Sequence, residues 1–425
     1  MHMKSKTTGL YGWHVAHGAN MIDFGEYKMP LWYPSGAKME HLAVLRRAGI
    51  FDTSHMAVLT VSGAGAFEML QGCFTKDLRC CVGQRRSPLV PGKCVYGAFL
   101  HEEGGVIDDA LVYHLGEKRF MLVVNAGMGE EIRAHLTAHG SGGDMEITDH
   151  TDRVGKIDLQ GVSAGHILRK VLARPEGVLK DMPYFSFKGH FEKTAHAKDP
   201  VTLVDGTPVL LSRTGYTGEF GFEIFLEPSR LGAVWELMLD AGDEYDLIPC
   251  GLAARDSLRT GAMLPLSHQD IGHWPFVHHP WPFALPYRSD RAGFTKAFIG
   301  GEALLNITQP NYTYAYVGDD LRKISGHHSA VVLNLKGVRI GHVLSCVTDM
   351  AIGRLNGRIY SISSPGKSAC FQPKGLCCGF VRVNRKLDFG HTVYLKDGRR
   401  EIRGTIVADI RPDRTARKPM REMLA

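Results

Sequence analysis

The chain has 425 residues, of which 44% are hydrophobic and 22% charged, with a formal net charge of +6. This length exceeds one ordinary core and predicts two to three domains, while the composition is that of a water-soluble globular protein. The basic residues are scattered, with no Lys/Arg run interleaved with aromatics, which argues against nucleic acid; the mild positive balance suits an anionic substrate or an acidic partner protein.

In chain order, 39–48 (MEHLAVLRRA) has the apolar spacing of a helix, with Gly49 as its C-cap candidate. Residues 51–62 end in a β-branched strand, and 65–72 form a short amphipathic helix. Residues 94–100, 106–114 and 119–125 read as an antiparallel series with glycine-containing turns. A helix over 128–138 runs into a Gly-Ser-Gly-Gly loop at 140–143. A second α+β stretch follows, with strands at 154–159, 209–212 and 220–226 and helices at 164–172, 231–241 and 253–262. The segment 273–287 (HWPFVHHPWPFALPY) is too rich in proline for helix or central strand. From about Tyr314 the chain alternates short strands with Gly turns (329–333, 338–343, 379–383, 392–395 and 401–408), the pattern of a small all-β barrel or tight sheet. The expected domains are 1–150, 151–310 and 311–425.

The most informative stretch is Gly104-Gly105-Val106-Ile107-Asp108-Asp109-Ala110-Leu111-Val112-Tyr113. A Gly-Gly turn enters a strand that carries two adjacent carboxylates, and neighbouring strand residues point to opposite faces. The inward one must be paired or hydrogen-bonded. A cyclic amidine such as a pterin edge would satisfy it with two parallel N–H donors; nearby backbone would also serve.

Nine cysteines, including the vicinal pairs Cys80-Cys81 and Cys377-Cys378 but no C-x-x-C, fit neither a disulfide framework nor a zinc site. His268, His273, His278 and His279 lie in a Pro-broken loop without clustered carboxylates or cysteine, so no metal is expected. There is no dinucleotide-binding or P-loop glycine motif. No segment has the length and apolarity of a membrane span, and Met1–Thr8 lacks the apolar core of a signal peptide; a cytoplasmic location is the expectation.

Nine pieces occur in one order: 21–33 (MIDFGEYKMPLWY), 49–56 (GIFDTSHM), 92–100 (GKCVYGAFL), 104–113 (GGVIDDALVY), 121–127 (MLVVNAG), 158–161 (DLQG), 212–224 (SRTGYTGEFGFEI), 250–259 (CGLAARDSLR) and 297–304 (AFIGGEAL). With them the chain resembles the aminomethyltransferases, the T-proteins of the glycine cleavage system, and their tetrahydrofolate-dependent demethylase relatives. The resemblance implies an α+β, three-domain architecture around a central folate channel, closed by a small β-barrel-like C-terminal domain. It implies an enzyme that passes an aminomethyl group from the lipoyl arm of a carrier protein (H-protein) to tetrahydrofolate, releasing ammonia and 5,10-methylenetetrahydrofolate.

By the same resemblance, Asp109 is the catalytic aspartate, Arg255 lies near the folate and reaction centre, and Glu223 grips the pterin ring. Tyr96 and Tyr216 line the folate channel, and Asn125 stands near the carboxylate. From the residues alone, Glu223 could equally be a solvated strand residue and Arg255 could pair with Asp256 or Glu219, while the tyrosines could be core aromatics. His55 follows Ser54, but adjacent strand residues face opposite ways, so a structural or channel-mouth histidine is expected rather than a dyad.

The departures are concentrated on the side expected to face the second substrate. The family's Tyr-Gly-Gln/His-Asp/Glu string is here Ser267-His268-Gln269-Asp270, and its Asn-Pro-Phe-Glu-like segment is replaced by 279–284 (HPWPFA). Tyr27 stands where tryptophan is usual, and 349–375 is an apparent insertion. His55, His268 and Trp281 are therefore the substrate-side candidates. Aromatic walls favour methylated onium groups or aromatic ethers, which keeps a demethylase of a small O-, N- or S-methyl donor as the alternative. A folate-binding protein without chemistry is the alternative of another class.

Overall fold

Among the described residues two large sheets, a small three-stranded sheet in the order Lys6–Thr7, Tyr27–Trp32 and Asn20–Phe24, a two-stranded hairpin and a closed barrel carry the strands. The computed structural model describes residues 5–83, 85–140, 144–192, 199–324, 330–368 and 371–425. Beyond Gly140 the loop expected at 140–143 lies outside them, as does Ser329.

The first sheet has five antiparallel strands in the order Cys94–Leu100, Val106–Gly116, Arg119–Val124, Ala57–Gly63 and Met145–Asp149. Helices Ala66–Cys73 and Gly129–His139 cover one face, burying Leu70, Ile132 and Leu136 among Leu59, Val61, Val112 and Leu122. The second sheet has six strands in the order Phe187–Gly189, Leu210–Ser212, Gly221–Leu226, Gly155–Gln160, Gly49–Asp52 and Ile248–Pro249. Helices Ala164–Val171 and Leu231–Gly242 close its outer face; Ala164, Ile167, Leu168 and Val171 are buried at the i, i+3, i+4, i+7 spacing of one helical side. The inner faces of the two sheets meet through Val58, Tyr113, Met121, Val123, Leu210 and Phe225.

The region 51–62 does not stay in one sheet. Gly49–Asp52 pairs with Gly155–Gln160 in the second sheet, while Ala57–Gly63 pairs with Arg119–Val124 in the first. The four residues between them carry the chain from one sheet to the other, so strand membership does not follow a division at residue 150. Gly49 is not a helix cap: the helix is Ala37–Arg46, and Gly49 opens the strand. A side chain there would meet the Cys250 thiol and Val44 at 2.6 Å.

The C-terminal strands close a six-stranded barrel, in the order Tyr312–Gly318, Leu376–Val383, Arg339–Asp349, Val331–Leu333, Thr392–Lys396 and Glu401–Val407. The apparent insertion contributes a hairpin, Ile352–Leu355 with Arg358–Ser361. After the barrel the tail returns to the second sheet. The Arg213 guanidinium donates to the Ala416 and Lys418 carbonyls at 3.0 Å each, and Thr415 Oγ1 accepts from the Phe220 N–H at 2.8 Å.

One buried ionic clasp joins the parts. Arg411 meets Asp349 (2.7 Å) and Glu219 (3.3 Å), and Asp349 also meets His41 Nε2 at 2.9 Å. His41 Nδ1 lies 2.8 Å from Ser257 Oγ. No helix among the described residues is long and apolar enough to cross a membrane.

Candidate functional site

The site begins where the packing between the two sheets gives way to polar groups. Asp109, Leu111 and Tyr113 alternate onto one face of the strand Val106–Gly116, and Tyr96 joins that face by pairing directly with Leu111. The Tyr96 hydroxyl donates to Asp109 Oδ2 at 2.7 Å. Asp108 points the other way and is fully buried. Asn125, just past the strand Arg119–Val124, joins the two carboxylates: its Nδ2 donates to Asp108 Oδ1 and to Asp109 Oδ1, at 2.7 Å each. Its backbone N–H donates to Asp108 Oδ2 at 2.8 Å, and Ser267 Oγ to Asp108 Oδ1 at 2.7 Å.

These contacts leave two carboxyls with raised values. Burial pushes Asp108 up to about 6 against the pull of Ser267 and Asn125. Burial, then the adjacent Asp108 charge, pushes Asp109 up to about 7. Two carboxyls joined through one amide titrate as a pair, and here they do so near neutrality.

Tyr216 lies between this pair and the second sheet. Its ring sits under the Arg255 guanidinium at 4.8 Å, and its hydroxyl donates to the Pro265 carbonyl. Arg255 rides on the helix Leu252–Gly261. The start of that helix is pinned by buried Glu40, which accepts from the Gly251 N–H at 2.9 Å and the Tyr33 N–H at 2.6 Å. Position 251 admits only glycine, since a Cβ would lie 2.4 Å from the Leu31 carbonyl oxygen. Arg255 pairs with neither Asp256 nor Glu219. Those go to Arg259 and Arg411, while Arg255 Nη1 donates to Asp158 Oδ2 at 2.9 Å.

Glu223 is buried and is not a solvated strand residue. It stands directly across the ladder from Asp158, and Lys156 Nζ bridges the two carboxylates at 2.6 Å each. Its other oxygen accepts from Thr214 Oγ1 and, at 3.4 Å, from the Tyr113 hydroxyl. Protein donors thus already reach both oxygens of this carboxylate.

His55, on the crossing between the sheets, is 2% exposed and sits edge-on to Phe24 at 5.6 Å. Burial and the Arg255 charge lower it to about 4, so the ring is neutral, and its Nδ1 has no hydrogen-bond partner among the described residues. His268 is partly exposed, with Nε2 3.9 Å from Asp108 Oδ1. Trp281 does not line the site. It is fully buried, donates to the Met263 carbonyl at 2.7 Å and packs edge-on against Phe380 of the barrel. The exposed aromatic of that segment is Phe283, 46% exposed and 5.8 Å from the Tyr96 ring. Trp281→Ala is therefore expected to cost about 3–5 kcal/mol of stability. Urea unfolding measures this; at a temperature where the variant is folded, its turnover should match the wild type.

Asp109, Tyr96, Asn125, Tyr216 and Arg255 thus form one contiguous surface, and Glu223 connects to it through Lys156 and Asp158. Lys156, Asp158, Asp108, Ser267 and Phe283 were missed as site residues. For Lys156 and Asp158 a signal exists, since K-I-D on a strand puts both charges on one face; their meeting with Glu223 depends on a long-range register. Flat aromatic faces, a neutral histidine nitrogen without a partner, a guanidinium and a carboxyl near neutrality make a donor and acceptor set suited to a reduced pterin. Tyr96 and Tyr216 offer the flat faces for such a ring, and Asp109 a carboxyl for its N–H donors. Among the described residues no cluster of metal-ligating side chains occurs.

The model of the GCVT N-terminal domain matches residues 10–274. An aminomethyltransferase of Bacillus cytotoxicus is 38% identical over 264 residues, 62% of this chain and 66% of the relative; the chain thus spans about two thirds of that protein's length. An aminomethyltransferase of Symbiobacterium thermophilum is 37% identical over 326 residues, 76% of this chain and 80% of the relative. The crystal structure of glycine cleavage system aminomethyltransferase T from Bartonella henselae superposes with a TM-score of 0.71 at 28% identity, covering 95% of this chain and 96% of that one.

Proposed function

The chain belongs to the aminomethyltransferase family, the family of the GCVT N-terminal domain, and from that membership we propose that it is a transferase moving an aminomethyl group from a lipoyl carrier protein to tetrahydrofolate. Ammonia leaves and 5,10-methylenetetrahydrofolate forms. One observation carries the assignment of chemistry: two carboxyls bridged by Asn125, raised to about 6 and about 7, border an aromatic surface that ends in Arg255. Asp109 stabilises positive charge developing on the transferred carbon and holds the acceptor amine in line. This is proximity with electrostatic help, without a covalent intermediate on the protein.

Tyr96 fixes the Asp109 rotamer through its hydroxyl and, with Tyr216, provides flat faces. Asn125 keeps the two carboxyls together. Arg255, oriented by Asp158, suits an electron-rich or anionic part of the substrate. Glu223 acts with Lys156 as one unit that presents polar groups to the ring. A cytoplasmic location is in keeping with the bacterial aminomethyltransferases it is similar to. Three parts, divided near residues 150 and 310, are the working domain description, with the crossing at 53–56 shared between the first two.

The test incubates the purified chain with tetrahydrofolate and a panel of donors, reading the folate product by mass spectrometry. Methylenetetrahydrofolate formed only with the aminomethylated lipoyl carrier supports the reading. Methyltetrahydrofolate formed from a small methylated donor overturns it in favour of a demethylase, and folate binding without any product overturns it in favour of a binding protein.

A further inference from the structure

His268 is not needed by anything described so far. Its backbone has φ of +62°, a left-handed conformation that side chains other than glycine rarely adopt. The loop holding it is not loose. Asp270 is buried against the Arg259 guanidinium and accepts from the Leu266 N–H at 3.0 Å, so 266–270 is clamped from both sides. Ser267, inside this clamp, donates to Asp108, and the next residue turns its imidazole to the same carboxyl with Nε2 3.9 Å away. That separation is one bridging water or a small ring rotation. The other side of the ring is open, with the His268 side chain 40% exposed and Asp108 fully buried.

We infer that His268 is the proton relay of the carboxyl pair, connecting Asp108 and Asp109 to solvent during turnover. The inference rests on the aminomethyl-transfer reading. The two acceptor nitrogens of tetrahydrofolate bond the transferred carbon with their lone pairs, while the carbon–nitrogen bond of the protonated amine and the carbon–sulfur bond to the lipoyl arm both break. Ammonia and the lipoyl thiolate leave with the bonding electrons. Of the two protons shed by the acceptor nitrogens, one goes to the thiolate and the other to the pair, from which His268 takes it at Nε2 and the ring passes a proton to water. No oxidant or reductant is involved. His268 acts through the carboxyls and is a positioning and relay residue. The charged and titratable groups facing it are Asp108, Asp109, Glu131 and His273, with His101 tilted onto the His273 ring at 5.6 Å.

The test is His268→Gly, a substitution that suits the left-handed backbone and removes only the imidazole. Turnover is expected to fall about tenfold to a hundredfold with KM for tetrahydrofolate little changed, and added imidazole should restore part of it. In the variant, turnover should also rise with buffer concentration at constant pH, because small acids and bases then carry the proton that the imidazole carried. Unchanged turnover and pH profile, or lost turnover that neither imidazole nor buffer raises, overturns the relay. Wild-type protein that makes no methylenetetrahydrofolate instead overturns the functional reading.

Discussion

Asp109→Asn should retain tetrahydrofolate affinity within about an order of magnitude and lose most turnover, roughly a hundredfold to ten-thousandfold. The amide preserves the size of the side chain and can still meet the Tyr96 hydroxyl and Asn125. It cannot carry the negative charge that stabilises the transferred carbon or take up a proton. The wild-type kcat/KM profile should inflect between about 6 and about 7, the raised values of the two carboxyls, and this inflection should move or vanish in the variant. Stability provides an independent check. Because Asp109 has a higher value folded than unfolded, the wild type loses stability as pH rises from about 4 towards about 7, through the span where only the folded state holds the proton. Asp109→Asn removes that loss, so the stability difference in its favour should grow over this range and level off above it. Turnover equal to the wild type would remove Asp109 from the mechanism.

Arg411→Met is expected to cost about 3–5 kcal/mol of stability, because it leaves two buried carboxylates without the guanidinium between them. Arg411 and Asp349 are each no more than 1% exposed, and the guanidinium also donates to the Thr217 and Leu258 carbonyls. Facing Arg411 and His41, Asp349 is held below the usual carboxylate range, whereas burial outweighs Arg411 at Glu219 and raises it. Urea unfolding of the variant at neutral pH measures the loss. A double variant, Arg411→Met with Asp349→Asn, should recover part of it, since one of the stranded charges is then gone. A single variant as stable as the wild type would show that the clasp contributes nothing net.

Much of this architecture was legible in the residues. Alternation of apolar positions located the antiparallel series 94–125 and the barrel strands, and helical spacing located 129–139, 164–171, 231–242 and 252–261 within a few residues. Period and propensity are local properties, and these elements follow them. What stayed hidden depends on distant pairing. The FDTSHMAVL run reads as one segment, yet the chain changes sheets inside it. Which of Asp158, Asp256 and Glu219 an arginine selects is fixed by the third dimension, so Arg255, Arg259 and Arg411 divide them in a way no spacing rule gives. Trp281 reads as a substrate-side residue because its segment departs from the family pattern; its indole N–H instead meets a carbonyl and its ring joins the core. The Asp108-Asp109 pair was visible as a motif, but the amide bridging it lies 16 and 17 residues further along the chain.

The returning tail also bears on synthesis. Thr415, Ala416 and Lys418 complete contacts with Arg213 and Phe220, which leave the ribosome about two hundred residues earlier. During translation the second sheet therefore lacks these partners until residues 415–418 emerge. The nascent sheet is in that interval the stage exposed to chaperones and proteases.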